Sequence, residues 1–303
     1  MSWQARSTSF VLRHWFKPRL ARAPDAPALR RVMNGPTRPP PRGTQAAAGT
    51  VGGVAGEWMV ADAEPTVATL LYLHGGGYFA CTPQTHRPVT ASFALAGFRT
   101  FAPAYRLAPE HPFPAGIEDA VAAYRGLLQD HAPHQLVVAG DSAGGGLAVA
   151  LLLSLRERGI PQPAAAALFS PFVDLAATGE SARNNSERCA MFTSESFGRA
   201  AQFYVGDGDR RAPLASPLYA DLRGLPPLLI HVGADETLLD DSRRLAERAQ
   251  RAGVKVELEI WPAVPHVWQL FHRWIPEGRS SLREAGMFLA REVGAVSARQ
   301  AKS

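Results

Sequence analysis

The sequence predicts an α/β fold: a mostly parallel, eight-stranded sheet with helices on both faces and a helical cap. Three observations lead to this prediction. Short apolar runs alternate with amphipathic stretches of helical length, and the runs are continuously apolar, as expected of strands buried on both faces. The composition is that of an ordinary globular protein, with 46% hydrophobic and 19% charged residues among 303. Two stretches interrupt the alternation, and these are the candidates for a cap.

The individual elements follow from the apolar runs and from the turn residues between them. Gly52 and Gly53 separate two short strands, which indicates an antiparallel hairpin at the sheet edge over residues 43–60. Buried strands are predicted at residues 67–73, 98–102, 136–139, 165–169, 227–232 and 256–260. Helices are predicted at residues 87–96, 117–128, 144–157, 242–252 and 281–293.

The two interrupting segments, residues 1–42 and 176–222, are assigned to the cap. The second lies between two strands of the sheet, and such an insertion falls at the carboxyl edge, where ligands bind. It is polar and turn-rich, with one helical stretch near residues 195–204. The main α/β domain is therefore expected to comprise residues 43–175 and 223–303.

The first cap segment contains aromatic residues among arginines and ends in a proline-rich linker over residues 35–41. The spacing suits an amphipathic helix packed on an apolar surface. Phe10, Trp15 and Phe16 are expected either to wall the substrate pocket or only to attach the cap to the main domain.

The positive charge is concentrated at the N-terminus. Residues 1–45 contain nine arginines and lysines against Asp25 alone, so this segment carries +8 and the remainder about −3, for a net charge of +5. A basic arm is typical of nucleic-acid or anionic-membrane binding, but no nucleic-acid motif accompanies it. We interpret the arm as the solvent-exposed face of a cap helix and expect no nucleic-acid partner.

Compartment and membrane association are predicted from the cysteines and the apolar runs. Cys81 and Cys189 have no metal-type spacing, which favours reduced thiols and a cytoplasmic protein. Arg6 and Arg13 interrupt the first residues, so no cleaved signal peptide is expected. The apolar runs are far shorter than the ~20 residues of a membrane-spanning helix. We predict no membrane span.

We interpret the chain as organised around Gly-Asp-Ser-Ala-Gly at residues 140–144, a motif that is weak by itself and gains weight from its position between a predicted strand and a predicted helix. This order matches G-x-S-x-G, the nucleophile elbow of α/β-hydrolases. Such a turn strains the backbone of the serine and leaves room only for small neighbours. Ser142 is therefore the candidate nucleophile, with the helix N-terminus directed at a developing oxyanion. On this stretch alone, a plain glycine-rich turn is the alternative.

A second motif, His-Gly-Gly-Gly-Tyr at residues 74–78, directly follows the strand predicted at 67–73. Three successive glycines allow backbone N–H groups to face a substrate carbonyl without obstruction by side chains. The N–H groups of Gly75, Gly76 and Gly77, with that of Ala143, are predicted to form an oxyanion hole. His74 is expected to brace this loop rather than to transfer protons.

A serine nucleophile requires a histidine base, and the base requires an acid to hold its tautomer. In α/β-hydrolases the chain order is serine, acid, histidine. Of the histidines after the elbow, His231 lies within a predicted strand, and His272, six residues after His266, is expected to be helical. His266 lies in a proline-bounded loop after the last strand, at the sheet edge where a base is needed. We therefore predict His266 as the base.

The acid is expected in the loop after the strand at residues 227–232. This loop contains Asp235 and Glu236, and spacing alone does not separate them. Both therefore remain candidates on the residues themselves.

Taken together, these motifs resemble those of the hormone-sensitive-lipase-like branch of α/β-hydrolases, the bacterial esterases with an HGGG loop and a GDSAG elbow. The stretches at residues 105–115 and 170–175 are also similar to signatures of that family, and the resemblance covers residues 1–295. It implies an α/β-hydrolase fold, a cap built from an N-terminal segment and a later insertion, and possible homodimers. The family pattern D-P-L-x-D places its acid at Glu236 rather than Asp235. Ala104 and Thr237 depart from the family, which commonly has aspartate and proline there.

The function predicted from these motifs and the resemblance is hydrolysis of short- to medium-chain acyl esters through Ser142, His266 and Glu236. No cofactor and no metal are expected. Lactone hydrolysis, or deacylation of N-acetyl compounds and ester drugs, uses the same machinery and stays open. A binding protein on a hydrolase scaffold, as in the plant gibberellin receptors, is disfavoured because those receptors lack the catalytic histidine.

Overall fold

The computed structural model describes residues 2–35, 37, 39–63 and 67–300. Its centre is one eight-stranded sheet with the spatial order β1-β2-β4-β3-β5-β6-β7-β8. Only β2 runs against the other strands, because β1–β2 and β2–β4 pair antiparallel and all other neighbours pair parallel. The strands are β1 (Thr44–Val51), β2 (Val54–Ala61), β3 (Ala68–Leu73), β4 (Phe98–Pro103), β5 (Leu136–Asp141), β6 (Ala166–Phe169), β7 (Leu228–Gly233) and β8 (Val256–Trp261).

Helices connect these strands and cover both faces of the sheet. The last helix begins five residues before its predicted start, because Pro276 fits the first helical position, where no N–H donor is needed. The helices are α1 (Trp3–Val11), α2 (Lys17–Arg22), α3 (Ala26–Asn34), α4 (Arg87–Leu95), α5 (Ala115–Leu127), α6 (Ala143–Glu157), α7 (Ser181–Asn184), α8 (Ser194–Val205), α9 (Leu239–Arg251) and α10 (Pro276–Gln300).

The hydrophobic core lies in two layers, one on each face of the sheet. Alternate residues of β3 enter different layers: Leu70 and Tyr72 pack on one face with α4 and α10, and Leu71 and Leu73 on the other with α5 and α6. Each fully buried leucine contributes about 1.5–3 kcal/mol relative to an exposed one. The predicted fold, a mostly parallel eight-stranded α/β-hydrolase sheet covered on both faces, is confirmed.

The N-terminal segment is helical from α1 through α2, with a π-helical turn at Leu12–Phe16 between them. Leu12, Phe16 and Leu20, spaced four residues apart, line the large cavity at the sheet edge. Phe10 and Trp15 are each 61% exposed. Of the two alternatives left open by the sequence, walling the pocket therefore applies to Phe16 and not to Phe10 or Trp15, because the apolar stripe follows the four-residue spacing through the π turn.

Several basic side chains of this segment donate hydrogen bonds to backbone carbonyl oxygens of residues outside the segment. Arg30 donates to the carbonyl oxygens of Phe79 and Ala108, at 2.6 and 2.7 Å. Lys17 donates to the carbonyl oxygens of Ser186 and Cys189, at 2.6 and 2.8 Å. Part of the N-terminal positive charge thus attaches the segment to the rest of the protein, which the sequence did not indicate.

The linker predicted over residues 35–41 includes residues 36 and 38, which lie outside the described residues. Across the ranges that the structure describes, every helix is too short or too polar to cross a bilayer.

Candidate active site

Ser142 occupies the turn between β5 and α6, at the carboxyl edge of the sheet. Its backbone is strained, with φ 52° and ψ −122°. Two hydrogen bonds hold this conformation: the Ser142 N–H donates to the Phe169 carbonyl at 2.8 Å, and the Phe172 N–H donates to the Ser142 carbonyl at 2.9 Å. A Cβ at Gly144 would approach the Leu73 carbonyl oxygen to 2.0 Å, so the turn requires glycine there. The strain therefore positions the hydroxyl at the cavity that Ser142 lines.

Glu236 follows β7 and His266 follows β8, and the two side chains form a buried hydrogen-bonded pair. Nδ1 of His266 is bonded to Oε2 of Glu236. The other carboxylate oxygen, Oε1, accepts from the Ser170 hydroxyl at 2.7 Å and from the Gly233 N–H at 2.6 Å. Because Nδ1 faces a carboxylate, it carries the proton, and Nε2 is left as the proton acceptor of the ring.

The Nε2 atom of His266 is buried and makes no hydrogen bond to any residue that the structure describes. His266 and Ser142 nevertheless line the same cavity. The Phe192 ring packs edge-on against the imidazole at 5.1 Å between centroids, which shields the ring from water. Hydrogen bonds between a base and its nucleophile are often long without substrate and tighten when it binds.

The other candidates from the sequence lie elsewhere. Asp235 is half-buried and lines a separate pocket behind the His266–Glu236 pair, and it is not the carboxylate that His266 contacts. His231 is buried within β7, as expected. His272 follows a short 3₁₀ turn, with Nε2 3.2 Å from the Ser92 hydroxyl.

The glycine loop after β3 meets the elbow, but its three glycines are not equivalent. Gly76 and Gly77 line the cavity, with φ 118° and 62°. The Gly75 N–H donates to Oδ1 of Asp141 at 3.0 Å. The Gly75 N–H therefore already serves a buried carboxylate, and its role as an oxyanion donor stays a prediction. Ala143 is the first residue of α6, so its N–H has no acceptor within that helix.

A buried network beneath the loop joins the elbow to the rest of the site. Asp141 accepts from the Tyr72 hydroxyl at 2.6 Å, and Nε2 of His86 lies 3.3 Å from its Oδ2. Burial alone would raise the pKa of Asp141, but the His86 imidazole and the bonds from His86 and Tyr72 hold it below its usual value. Burial and the neighbouring His86 lower the pKa of His74 to about 3, so His74 is neutral.

Sequence reasoning missed two of the supporting residues. Ser170 lies in one of the family-like stretches, but its position gave no sign that it would bind Glu236. His86 lies between two predicted elements and belongs to no motif. Each is recognised only from its contact with a residue that is distant in the sequence.

We expect Asp141→Asn to lower both stability and turnover. An amide offers one acceptor oxygen where the carboxylate faces three donors, so an unmatched N–H remains buried. The free energy of unfolding should fall by about 2 kcal/mol, and displacement of the glycine loop should lower kcat up to ~100-fold. Urea unfolding and ester hydrolysis measure the two effects, with Asp62→Asn on the surface as control. Unchanged stability would refute the role of this network.

The cavity above Ser142 has a volume of about 380 Å³ and is mostly apolar. Its walls come from the glycine loop, the histidine loop and the two segments that the sequence assigns to a cap. The apolar lining residues of these two segments are Leu12, Phe16, Leu20, Leu29 and Met33 from the N-terminal segment and Met191, Phe192, Phe197 and Ala200 from the later insertion.

Known proteins resemble this chain over most of its length. A family model described as alpha/beta hydrolase fold matches residues 70–270. An acetyl-hydrolase of Streptomyces hygroscopicus is 47% identical over 247 residues, 81% of this chain and 82% of that protein. An esterase of Acinetobacter venetianus is 37% identical over 242 residues, 78% of each. The crystal structure of an esterase from the bacterial hormone-sensitive lipase family is 43% identical with a TM-score of 0.90, covering 97% of this chain and 99% of that one.

The sheet, the strained serine at its edge and the loops after the last two strands define an α/β-hydrolase. The chain belongs to this family and, within it, to the hormone-sensitive-lipase-like serine carboxylesterases. The resemblance found in the sequence is thereby confirmed, and the reaction class is ester hydrolysis.

Proposed function

We propose that Ser142, His266 and Glu236 form a catalytic triad that hydrolyses carboxylic esters through an acyl-enzyme. His266 Nε2 takes the proton of the Ser142 hydroxyl as its oxygen attacks the ester carbonyl. Glu236 stabilises the imidazolium, and His266 then protonates the departing alcohol. Water, deprotonated by the same histidine, attacks the acyl-enzyme and releases the carboxylic acid.

The observation that carries this proposal is the buried pair of His266 and Glu236 beside the cavity that the strained Ser142 lines. The bond from Nδ1 fixes the tautomer in which Nε2 is basic. The Ser170 hydroxyl and the Gly233 N–H hold the carboxylate in place, which keeps the imidazole oriented. A wrong tautomer or a rotated ring would leave the hydroxyl without a base.

The proposed oxyanion hole consists of the N–H groups of Gly76, Gly77 and Ala143. The first two lie on the cavity wall, and the third is at the positive end of the α6 dipole. One such donor contributes on the order of 3 kcal/mol to stabilisation of the transition state. Gly75 supports the loop through its bond to Asp141.

We expect Gly76→Ala to lower kcat by on the order of 10²–10³-fold. A Cβ would lie 2.1 Å from the Ala80 carbonyl oxygen, and φ 118° disfavours any residue with a side chain. The loop must move, and its N–H groups then no longer face the oxyanion. Gly53→Ala is the matched control, since φ is also positive (80°) but its Cβ meets nothing within 4 Å. Equal kcat for the two variants would contradict the proposed role of this loop.

We further propose that the segments of residues 1–42 and 176–222 form a cap that selects short- to medium-chain acyl esters. The cavity of about 380 Å³ is large enough for a small ester, and its apolar walls suit an alkyl chain. Removal of an acetyl group is the second candidate, favoured by the 47% identical acetyl-hydrolase. A series of p-nitrophenyl esters from acetate to decanoate separates the two, because a steep maximum of kcat/KM at acetate favours the acetyl substrate.

A further inference from the structure

We propose that His231, Glu259 and Glu284 bind a divalent transition-metal ion such as Zn²⁺, at a site apart from the catalytic cavity. One ligand atom from each, an imidazole nitrogen and two carboxylate oxygens, lies within 4.8 Å of the others. The three residues come from β7, β8 and α10, and none of them lines the catalytic cavity. The proposal is independent of the proposed triad.

The imidazole of His231 has the surroundings typical of a metal ligand. Its side chain is fully buried, and Nε2 makes no hydrogen bond within the described ranges of the chain. Nε2 faces the Glu259 carboxylate, with 3.7 Å between Nε2 and Oε2. The other nitrogen, Nδ1, lies 2.8 Å from the Ser281 hydroxyl, which itself accepts from the Gln269 amide at 2.8 Å. Metal-bound histidines commonly use the second nitrogen in this way to fix the ring.

The two glutamates complete a nitrogen- and oxygen-donor set. His231 and Glu259 are directly paired in the parallel register of β7 and β8, so the backbone itself holds them together. Oε2 of Glu284 is buried and has no hydrogen-bond partner among the described residues. Two carboxylates this close repel each other unless a cation or a proton lies between them.

The observed spacing requires only small movements for metal binding. Zinc with bonds near 2.1 Å holds tetrahedral ligand atoms about 3.4 Å apart. The His231–Glu259 distance of 3.7 Å is close to this value, and the long, partly exposed glutamate side chains can supply the remaining closure. An imidazole with carboxylates favours Zn²⁺ and its neighbours over Mg²⁺ or Ca²⁺, which prefer oxygen ligands alone.

A metal here would join β7, β8 and α10. The loops that follow β7 and β8 carry Glu236 and His266, so the ion would stabilise the two strands from which these residues project. Its role would be structural, because none of its ligands lines the catalytic cavity and the ion would act only through the strands it joins.

The experiment is titration of the metal-free full-length protein with Zn²⁺, followed by calorimetry and thermal unfolding, and with Co²⁺, followed by visible absorption. We expect one ion per chain, cobalt d–d bands, and a rise in Tm of roughly 2–4 °C at saturation. Glu259→Gln and Glu284→Gln should each weaken binding by at least about ten-fold. Glu257→Gln is the matched control, because Glu257 lies two residues away on the same strand and pairs with Arg291.

The catalytic imidazole is the competing site, and His266→Asn tests it. Binding that persists in His266→Asn and is lost in Glu259→Gln supports the proposal. Binding that is lost in His266→Asn, binding unchanged in the double variant Glu259→Gln/Glu284→Gln, or no binding at all would overturn it. If no metal binds, a proton shared between the Glu259 and Glu284 carboxylates would account for their proximity. Because the glutamates are partly exposed, their variants should fold even if a His231 variant does not.

Discussion

Ser142→Ala should lower kcat for p-nitrophenyl butyrate by on the order of 10⁴–10⁶-fold. Without the hydroxyl no acyl-enzyme forms, and only the oxyanion donors and the binding cavity remain to assist direct attack by water. The measurement is steady-state hydrolysis at saturating ester, corrected for the uncatalysed rate. A serine-directed covalent inhibitor should label the elbow peptide of the wild type and leave the variant unlabelled.

The fold should be unaffected by this change. Ser142 lines the cavity, and the bonds that hold the turn come from its backbone N–H and carbonyl rather than from its hydroxyl. Far-UV circular dichroism and Tm should therefore match the wild type. Ser154→Ala, on the helix that follows Ser142, is the control, since Ser154 is buried and its hydroxyl has no hydrogen-bond partner in the part of the chain that the structure describes. A kcat of Ser142→Ala within ten-fold of the wild-type value would refute the proposed mechanism.

Glu236→Gln should lower kcat by on the order of 10³–10⁴-fold. An amide group carries no charge to stabilise the imidazolium, and its N–H₂ can turn His266 into the tautomer with the proton on Nε2. KM should change little, because Glu236 does not line the catalytic cavity. The measurement is the split between kcat and KM with one short-chain ester.

Asp235→Asn is the matched control for this variant. Asp235 is the neighbouring residue, is half-buried, and makes no contact with His266 Nδ1, which is bonded to Glu236. Its kcat should stay within about three-fold of the wild type, as for a surface substitution. The reverse order of the two variants would move the role of the acid to Asp235.

Much of the fold was predictable because strands and helices depend on local patterns. The hairpin at Gly52-Gly53 and the six parallel strands follow from turn residues and continuous apolar runs, and the boundaries agree within a few residues. The elbow and the glycine loop are also local, since each needs small residues at fixed positions in one short stretch. The confirmed family resemblance rests on these same stretches.

By itself the sequence determined the fold class, the family, and a serine at a strand-to-helix turn, because each is set by residues close together in the chain. The residues themselves left Asp235 and Glu236 open, the family resemblance implied Glu236, and the tertiary structure shows the contact of Glu236 with His266. Only the tertiary structure shows that the Gly75 N–H serves Asp141, and that Leu12 and Phe16 rather than Phe10 and Trp15 meet the cavity. These results depend on pairings between residues far apart in sequence and on the rotation of a helix about its axis. No local pattern encodes such a pairing, because hydrogen bonds form only once the sheet has brought its loops to one edge.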